Sequence, residues 1–348
     1  MVRLFLLSSE YCEAFCFAWR LYLLNEGRGK FVYHRQVSSG VRQIIGPVFA
    51  ELTSDAKAER FPKITMRIRL YQGLKRIDLN YELDKDETTS KEAVYIAFPF
   101  AFELQKGGLW LEYPDAITEP LKDQHPSACR DWYSVQRWLA ASDGQATVVL
   151  SPLDTPLVTL GGMTGSTWPK QLSPKRAHVF AYIMNNYWHT NYKAGQGGHH
   201  AFRFSLTSSP GAFSTREAVT RGWEMFCPPV AQQGQGQQKP ILSAAAKDLV
   251  TVKPKGLPLM AFKQAEDQRG FVFRVCDFSG EAGTLKLALP KPAIEVMSCD
   301  LVEANARPHQ GRGKTVTAPL KPFGPATLKV IFSPGVFNEQ PAKSPSQP

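Results

Sequence analysis

Residues 61–83 read FPKITMRIRLYQGLKRIDLNYEL, and their spacing decides the fold class. Apolar residues recur at every second position, which is the period of a half-buried strand and not of a helix. Ile64, Met66, Ile68 and Leu70 share one face, while Arg67, Arg69 and Tyr71 take the other. Gln72-Gly73 offers a turn, and Ile77, Leu79, Tyr81 and Leu83 resume the alternation on a return strand. The stretch predicts a long β-hairpin with one packed and one wet face.

Working outward, Val94, Ile96, Phe98, Phe100 and Phe102 predict another strand, with Pro99 marking a bulge or an edge position. Strands are also expected at 147–150, 177–184 and 202–207. In the last of these Phe202, Phe204 and Leu206 alternate with Arg203, Ser205 and Thr207, whereas 178–184 is apolar on both faces, as in a strand covered on both sides. The run PPVAQQGQGQQ at 228–238 has almost no side chain able to offset the cost of ordering and reads as a linker. Beyond it, short strands at 271–276, 284–289, 294–297 and 326–332 suggest a small sandwich. Strand and helix units do not alternate anywhere, so an α/β barrel or nucleotide fold is not encoded. The expected organisation is an upstream remnant with some helical character (1–30), a large β-sandwich (31–227), a linker (228–250), a small β-sandwich (251–334) and a disordered tail (335–348).

Lys plus Arg total 41 against 31 for Asp plus Glu, a formal charge of +10 in 348 residues that raises the question of an anionic partner. The basic residues are scattered, with nothing denser than Arg307, Arg312 and Lys314, and they do not interleave with aromatics along one surface. Nucleic acid is therefore not expected as a partner. Glu10, Glu13 and Arg20 interrupt the apolar N-terminal segment, short of the about twenty residues a membrane span needs, so no membrane partner is expected either. The six cysteines (Cys12, Cys16, Cys129, Cys227, Cys276 and Cys299) show no two-residue spacing of a zinc knuckle or redox motif. Cys12 and Cys16 lack further ligands nearby, so no metal is expected there, and unpatterned cysteines point to a cytoplasmic setting.

Between two strand-like runs lies NNYWHTNYKAGQGG, residues 185–198. Amides donate and accept at once, matching the paired hydroxyls of a pyranose, while aromatic rings cover its C–H faces and glycines admit a close backbone approach. The candidate sugar-binding residues are Asn185, Asn186, Tyr187, Trp188, His189, Asn191, Tyr192, Lys193 and Gln196. The plain alternative is a long hairpin loop whose polar groups satisfy its own backbone.

Five segments in this order resemble the C-terminal half of glycoside hydrolase family 38, the α-mannosidases. They are 95–100 (YIAFPF), 136–138 (QRW), 184–192 (MNNYWHTNY) with 196–198 (QGG), 263–267 (KQAED) before the strand 270–275, and 300–303 (DLVE). The resemblance runs from about Phe31 to Phe332, and departs at Gly324, where relatives continue with an acidic residue. It implies a mostly β chain: a large, galactose-mutarotase-like super-sandwich, then a small sandwich, without the α/β barrel. It also implies that the zinc ion and nucleophilic aspartate of a retaining α-mannosidase reside on that missing barrel, so no cofactor and no catalytic residue are assigned to this chain. The expected partners are a glycan or mannoside and a separately encoded barrel.

Chemistry read from the residues agrees. Retaining glycoside hydrolysis usually needs two carboxyl groups about 5–5.5 Å apart. Asp84, Asp86 and Glu87 sit together in a charged turn that reads as solvated, and His199 and His200, adjacent on a strand, would face opposite ways. Trp138, Trp188 and Trp223 read as core, Arg137 as a partner for a carboxylate, and Glu266-Asp267 as hairpin chemistry. The reading is a carbohydrate-facing β-sandwich portion of an α-mannosidase-like hydrolase, inactive alone; the alternative is a free-standing carbohydrate-binding module.

Overall fold

The structure, a computed structural model, describes residues 21–25, 30–32, 37–114, 116–120, 122–163, 168–186, 193–228, 230, 250–311 and 313–333. The chain divides into two units, Met1–Ser214 with Arg221–Cys227, and Thr215–Thr220 with Pro228–Pro348. Among the described residues every strand pairing is antiparallel and one α-helix is present, so the fold is mostly β.

The first unit holds β1 (Leu21–Asn25), β2 (Lys30–Val32), β3 (Val37–Ile45), β4 (Phe49–Ala58), β5 (Phe61–Tyr71), β6 (Leu74–Lys85), β7 (Glu92–Glu103) and β8 (Gly108–Tyr113). After them come β9 (Ala116–Thr118), β10 (Tyr133–Ser134), β11 (Leu139–Ser142), β12 (Ala146–Pro152), β13 (Leu157–Leu160), β14 (Arg176–Asn186) and β15 (Gly198–Pro210). Nine strands form one sheet in the order β3-β4-β5-β6-β15-β12-β11-β8-β9, and six form another, β10-β13-β14-β7-β1-β2.

The sheets face each other across one core. Leu79, Leu83 and Phe204 from the first meet Ile96, Phe98, Val179 and Ala181 from the second, and the rings of Phe98 and Phe204 lie 4.9 Å apart. Full burial of such a side chain stabilises by roughly 1.5–3 kcal/mol. The hairpin of residues 61–83 is β5–β6, paired Ile64↔Leu83, Ile68↔Leu79 and Leu70↔Ile77 and turned at Gly73, whose φ of +73° suits glycine. Its wet face is laced by ion pairs, Arg67–Glu82 at 2.5 Å, Arg69–Glu51 at 2.7 Å and Arg76–Asp78 at 2.7 Å. Pro99 is exposed beside a register shift between β7 and β14, a position that tolerates its missing N–H.

In the second unit are β16 (Thr251–Lys253), β17 (Leu259–Gln264), β18 (Phe271–Cys276), β19 (Gly283–Cys299), β20 (Arg307–Pro308), β21 (Gly313–Leu320) and β22 (Pro325–Phe332). The strands expected at 284–289 and 294–297 are one long strand, β19, carried across Pro290-Lys291-Pro292. Its first half pairs with β21 (Leu285↔Ala318) and its second with β22 (Val296↔Val330). Leu285, Leu287, Val316 and Ala318 pack with Phe273, Val275, Leu328 and Val330 in a separate core.

Other features also depart from the sequence reading. The helix α1 (Thr215–Phe226) was not foreseen. The helical character expected within 1–30 meets a strand where it can be compared: β1 supplies hydrogen-bond partners to β7, with Leu21↔Ile96 and Leu23↔Val94. The rest of that segment (1–20 and 26–29), most of the linker (229 and 231–249), Pro334 and the tail (335–348), and Cys12 and Cys16 lie outside the described residues.

Candidate functional site

The candidate loop leaves the six-stranded sheet at the end of β14 and joins the nine-stranded sheet at the start of β15. Tyr187, Trp188, His189, Asn191 and Tyr192 lie outside the described residues. Asn185, Asn186, Lys193 and Gln196 are described, and both ends of the loop are tied down. The side-chain oxygen of Gln196 accepts from the Asn185 backbone N–H at 2.8 Å, closing the loop on itself. The Asn186 amide nitrogen donates to the Thr88 carbonyl at 3.1 Å and to Glu92 at 3.2 Å. Glu87 accepts from the Gly197 N–H at 2.9 Å and lies 3.5 Å from the Lys193 ammonium.

The two glycines explain how Glu87 comes so near. A Cβ on Gly195 would stand 2.8 Å from the Glu87 carboxyl carbon and 3.0 Å from the Thr88 carbonyl oxygen. One on Gly197 would stand 2.8 Å from the Glu87 backbone. Glycines read from sequence as room for a ligand are room for the β6–β7 connection. Glu87, read as part of a solvated turn, is a loop partner.

Beneath Asn186 is a buried charge cluster that sequence reasoning missed. Lys85 and Glu92, whose side chains are 0% and 2% exposed, pair at 2.6 Å, and Arg60 reaches Glu92 at 3.3 Å. Lys85 also donates to the Asp86 carbonyl at 3.3 Å. Strand parity was the available signal: Lys85 continues the inward series 77, 79, 81, 83, and Glu92 precedes the inward series 94, 96, 98. Asn186 is itself buried, and the side-chain oxygens of Asn185 and Asn186 have no hydrogen-bond partner among the described residues. Hydroxyl or water donors suit such acceptors.

The histidines part as the strand period requires. His199 meets Asp84 at 2.7 Å, whereas His200 meets the Gln196 carbonyl at 3.0 Å. Trp138 is fully buried, and Arg137 pairs with buried Glu112 at 3.1 Å while lying 3.9 Å from the centre of the Trp223 ring.

In the second unit the motifs 263–267 and 300–303 form one brace. Lys263 bridges Glu303 at 2.6 Å and pairs with Glu266, and Glu303 accepts from the Glu266 N–H at 2.8 Å. The Lys263 hydrogen bonds first, then burial against them, leave Glu303 below its usual carboxylate range. Asp300 accepts from the N–H groups of Val302 and Ala304. Asp277 is buried and accepts from the N–H groups of Ser279, Gly280 and Phe323, at 3.1, 2.8 and 3.2 Å. Burial pushes its carboxyl up, but the hydrogen bonds from Ser279, Phe323 and Gly280 outweigh it and hold the group below its ordinary value.

Among the described residues no group of three or more His, Cys, Asp and Glu side chains is arranged to hold a metal ion. The zinc implied by the family resemblance finds no fitting ligand set among the described residues.

Residues 256–324 match the family model described as the glycosyl hydrolases family 38 C-terminal β-sandwich domain. Two solved structures from Enterococcus faecalis share the fold. An α-mannosidase from strain V583 gives a TM-score of 0.60 at 12% identity, covering 86% of this chain and 35% of that one. A protein in glycosyl hydrolase family 38 gives 0.63 at 11% identity, covering 90% and 40%. No curated protein sequence matches the chain. The chain thus spans 35% and 40% of the length of these structures. The fold is thus shared with these two structures over 86% and 90% of the chain, and residues 256–324 match the model of the family 38 C-terminal β-sandwich domain.

Proposed function

We propose that this chain is the carbohydrate-facing β-sandwich portion of an α-mannosidase-like glycoside hydrolase acting on a glycan or mannoside. The bond-breaking zinc and nucleophile are carried on a catalytic barrel that this chain does not supply. The observation that carries the reading is the shared fold with family 38 structures over 86% and 90% of the chain. The loop adds support, because its two ends are fixed by Glu87, Thr88, Glu92 and Gln196. A segment fixed at both ends loses less freedom on meeting a ligand. Its polar groups are neutral apart from Lys193 and His189, so their role is to orient hydroxyls and not to attack carbon.

Titration calorimetry with mannose oligosaccharides tests this, comparing the chain with a Trp188→Ala, Asn191→Ala double variant. Heats that are equal for both would remove the loop from sugar binding. An aryl α-mannoside with added zinc should give no turnover by this chain alone. Mixed with a separately produced family 38 barrel, the chain should raise the barrel's turnover; sugar binding without that effect would favour a free-standing binding module.

A further inference from the structure

The first unit contains a polar recess with a volume of about 220 Å³. Its wall is Pro120, Lys122, Gln124, Arg130, Gln171, Leu172 and Ser173. Two cations line it and no carboxylate does. Arg130 is held in place by main-chain carbonyls, its guanidinium donating to Pro126 at 2.9 Å, Ala128 at 3.1 Å and His125 at 3.3 Å. Those three bonds engage three of five N–H groups, and no described carboxylate lies within ion-pair distance. The guanidinium is thus positioned by dipoles and its charge is left for a ligand.

Gln124 and Lys122 are also held by partners. Gln124 donates to the Cys129 carbonyl at 2.5 Å and accepts from the Tyr133 hydroxyl at 3.1 Å, which fixes its amide. Burial, first of all, pushes the Tyr133 hydroxyl up to about 12, so it remains a donor at neutral pH. Lys122 is tethered to Glu119 at 2.7 Å, and Asp123 is engaged by the Glu119 N–H at 2.8 Å; neither carboxylate lines the recess. Gln171 and Ser173 add two side chains that can donate, and Leu172 and Pro120 give the wall apolar surface.

We propose that this recess binds an oxyanion, phosphate or carboxylate, carried by a small polyol. Charge-assisted bonds from a fixed guanidinium and an ammonium recognise the anionic group, and the amide and hydroxyl groups of Gln124, Gln171 and Ser173 take its hydroxyls. The volume, below the about 300–1,000 Å³ of drug-sized pockets, sets the ligand at one sugar unit. The chain's excess of 41 basic over 31 acidic residues favours the encounter.

Calorimetry on the full chain at low ionic strength tests the site with inorganic phosphate, mannose 6-phosphate, glucuronate and neutral mannose. Mannose 6-phosphate or glucuronate should bind more tightly than inorganic phosphate, and mannose should not compete. Lys122→Gln should weaken binding roughly three- to tenfold. Glu119→Gln, which frees Lys122, should strengthen it by a similar factor. Arg130 is left intact because it also organises its own loop. Absence of heat with every anion, or equal affinities for the chain, Lys122→Gln and Glu119→Gln, would overturn the proposal. Circular dichroism confirms that each variant is folded.

Discussion

Replacing Glu92 by Gln should do far more damage than an isosteric change at a strand end normally does. Its carboxylate is 2% exposed and faces a fully buried Lys85 at 2.6 Å, with Arg60 at 3.3 Å and the Asn186 amide at 3.2 Å. At an effective dielectric of about 20, attraction between unit charges at that separation is ~6 kcal/mol, much of it offset by desolvation of both groups. Removing one partner leaves the desolvation of the other uncompensated. Lys85 would keep neutral acceptors, the new amide oxygen and the Asp86 carbonyl, with the distant Phe61 ring at 6.0 Å, but no neutralising charge. The expected loss is about 3–5 kcal/mol. For a unit of this size that lowers the melting temperature by roughly 6–20 °C. Urea unfolding followed by tryptophan fluorescence measures it. The companion Lys85→Met substitution is decisive: the double variant should recover most of the loss, since a neutral, well-packed pair carries no stranded charge. A loss below about 1 kcal/mol for Glu92→Gln, or a double variant no better than the sum of the singles, would refute the reasoning.

Three further outcomes are expected. Asp277 has a folded-state carboxyl held below its ordinary value, so its contribution is present above about pH 4 and is lost as pH falls through the folded value. Asp277→Asn should lower the melting temperature at pH 7 and reduce the acid dependence; an unchanged acid limb counts against it. Gly222 lies on α1 where a Cβ would stand 2.8 Å from the Cβ of fully buried Trp138, so Gly222→Ala should cost about 1–3 kcal/mol despite alanine's better helix propensity, and a gain in stability would show that the contact yields. Gly195→Ala should displace the loop from Glu87, visible as faster amide exchange at Gly197, and unaltered exchange would show the clamp to be unimportant.

The fold was legible because its signal is local. Period-two alternation in 64–70, 77–83 and 202–207 requires only that one face be buried, and the structure buries Ile64, Leu79, Leu83 and Phe204. What escaped had competing or weaker signals. Helix α1 contains a glycine and two threonines, residues of poor helix propensity, and it is stabilised by contacts such as Gly222 against Trp138 that no local window contains. The strand Gly313–Leu320 has lysine, prolines nearby and small residues, and only its pairing with β19 reveals it. Lys85 and Glu92 were passed over because the alternation was not followed into charged residues. An inward-facing charge at a strand end is itself a signal: it has to be paired, and here the two such charges pair with each other.

In the candidate loop a binding role and a structural role would draw on the same residue types. Amides and glycines serve both ligand and scaffold with the same groups, so composition alone does not separate them. In the structure the side-chain oxygen of Gln196 closes the loop, the Asn186 donor serves Thr88 and Glu92, and the two glycines admit Glu87. These groups are therefore engaged before any sugar arrives. Under the proposed sugar-binding role, substituting them would alter affinity through loop position, whereas substitutions within 187–192 test direct contact. An alanine scan that treated all nine candidates alike would mix the two effects. Measuring stability and affinity together on each variant separates them, because a scaffold substitution moves both while a contact substitution moves affinity alone.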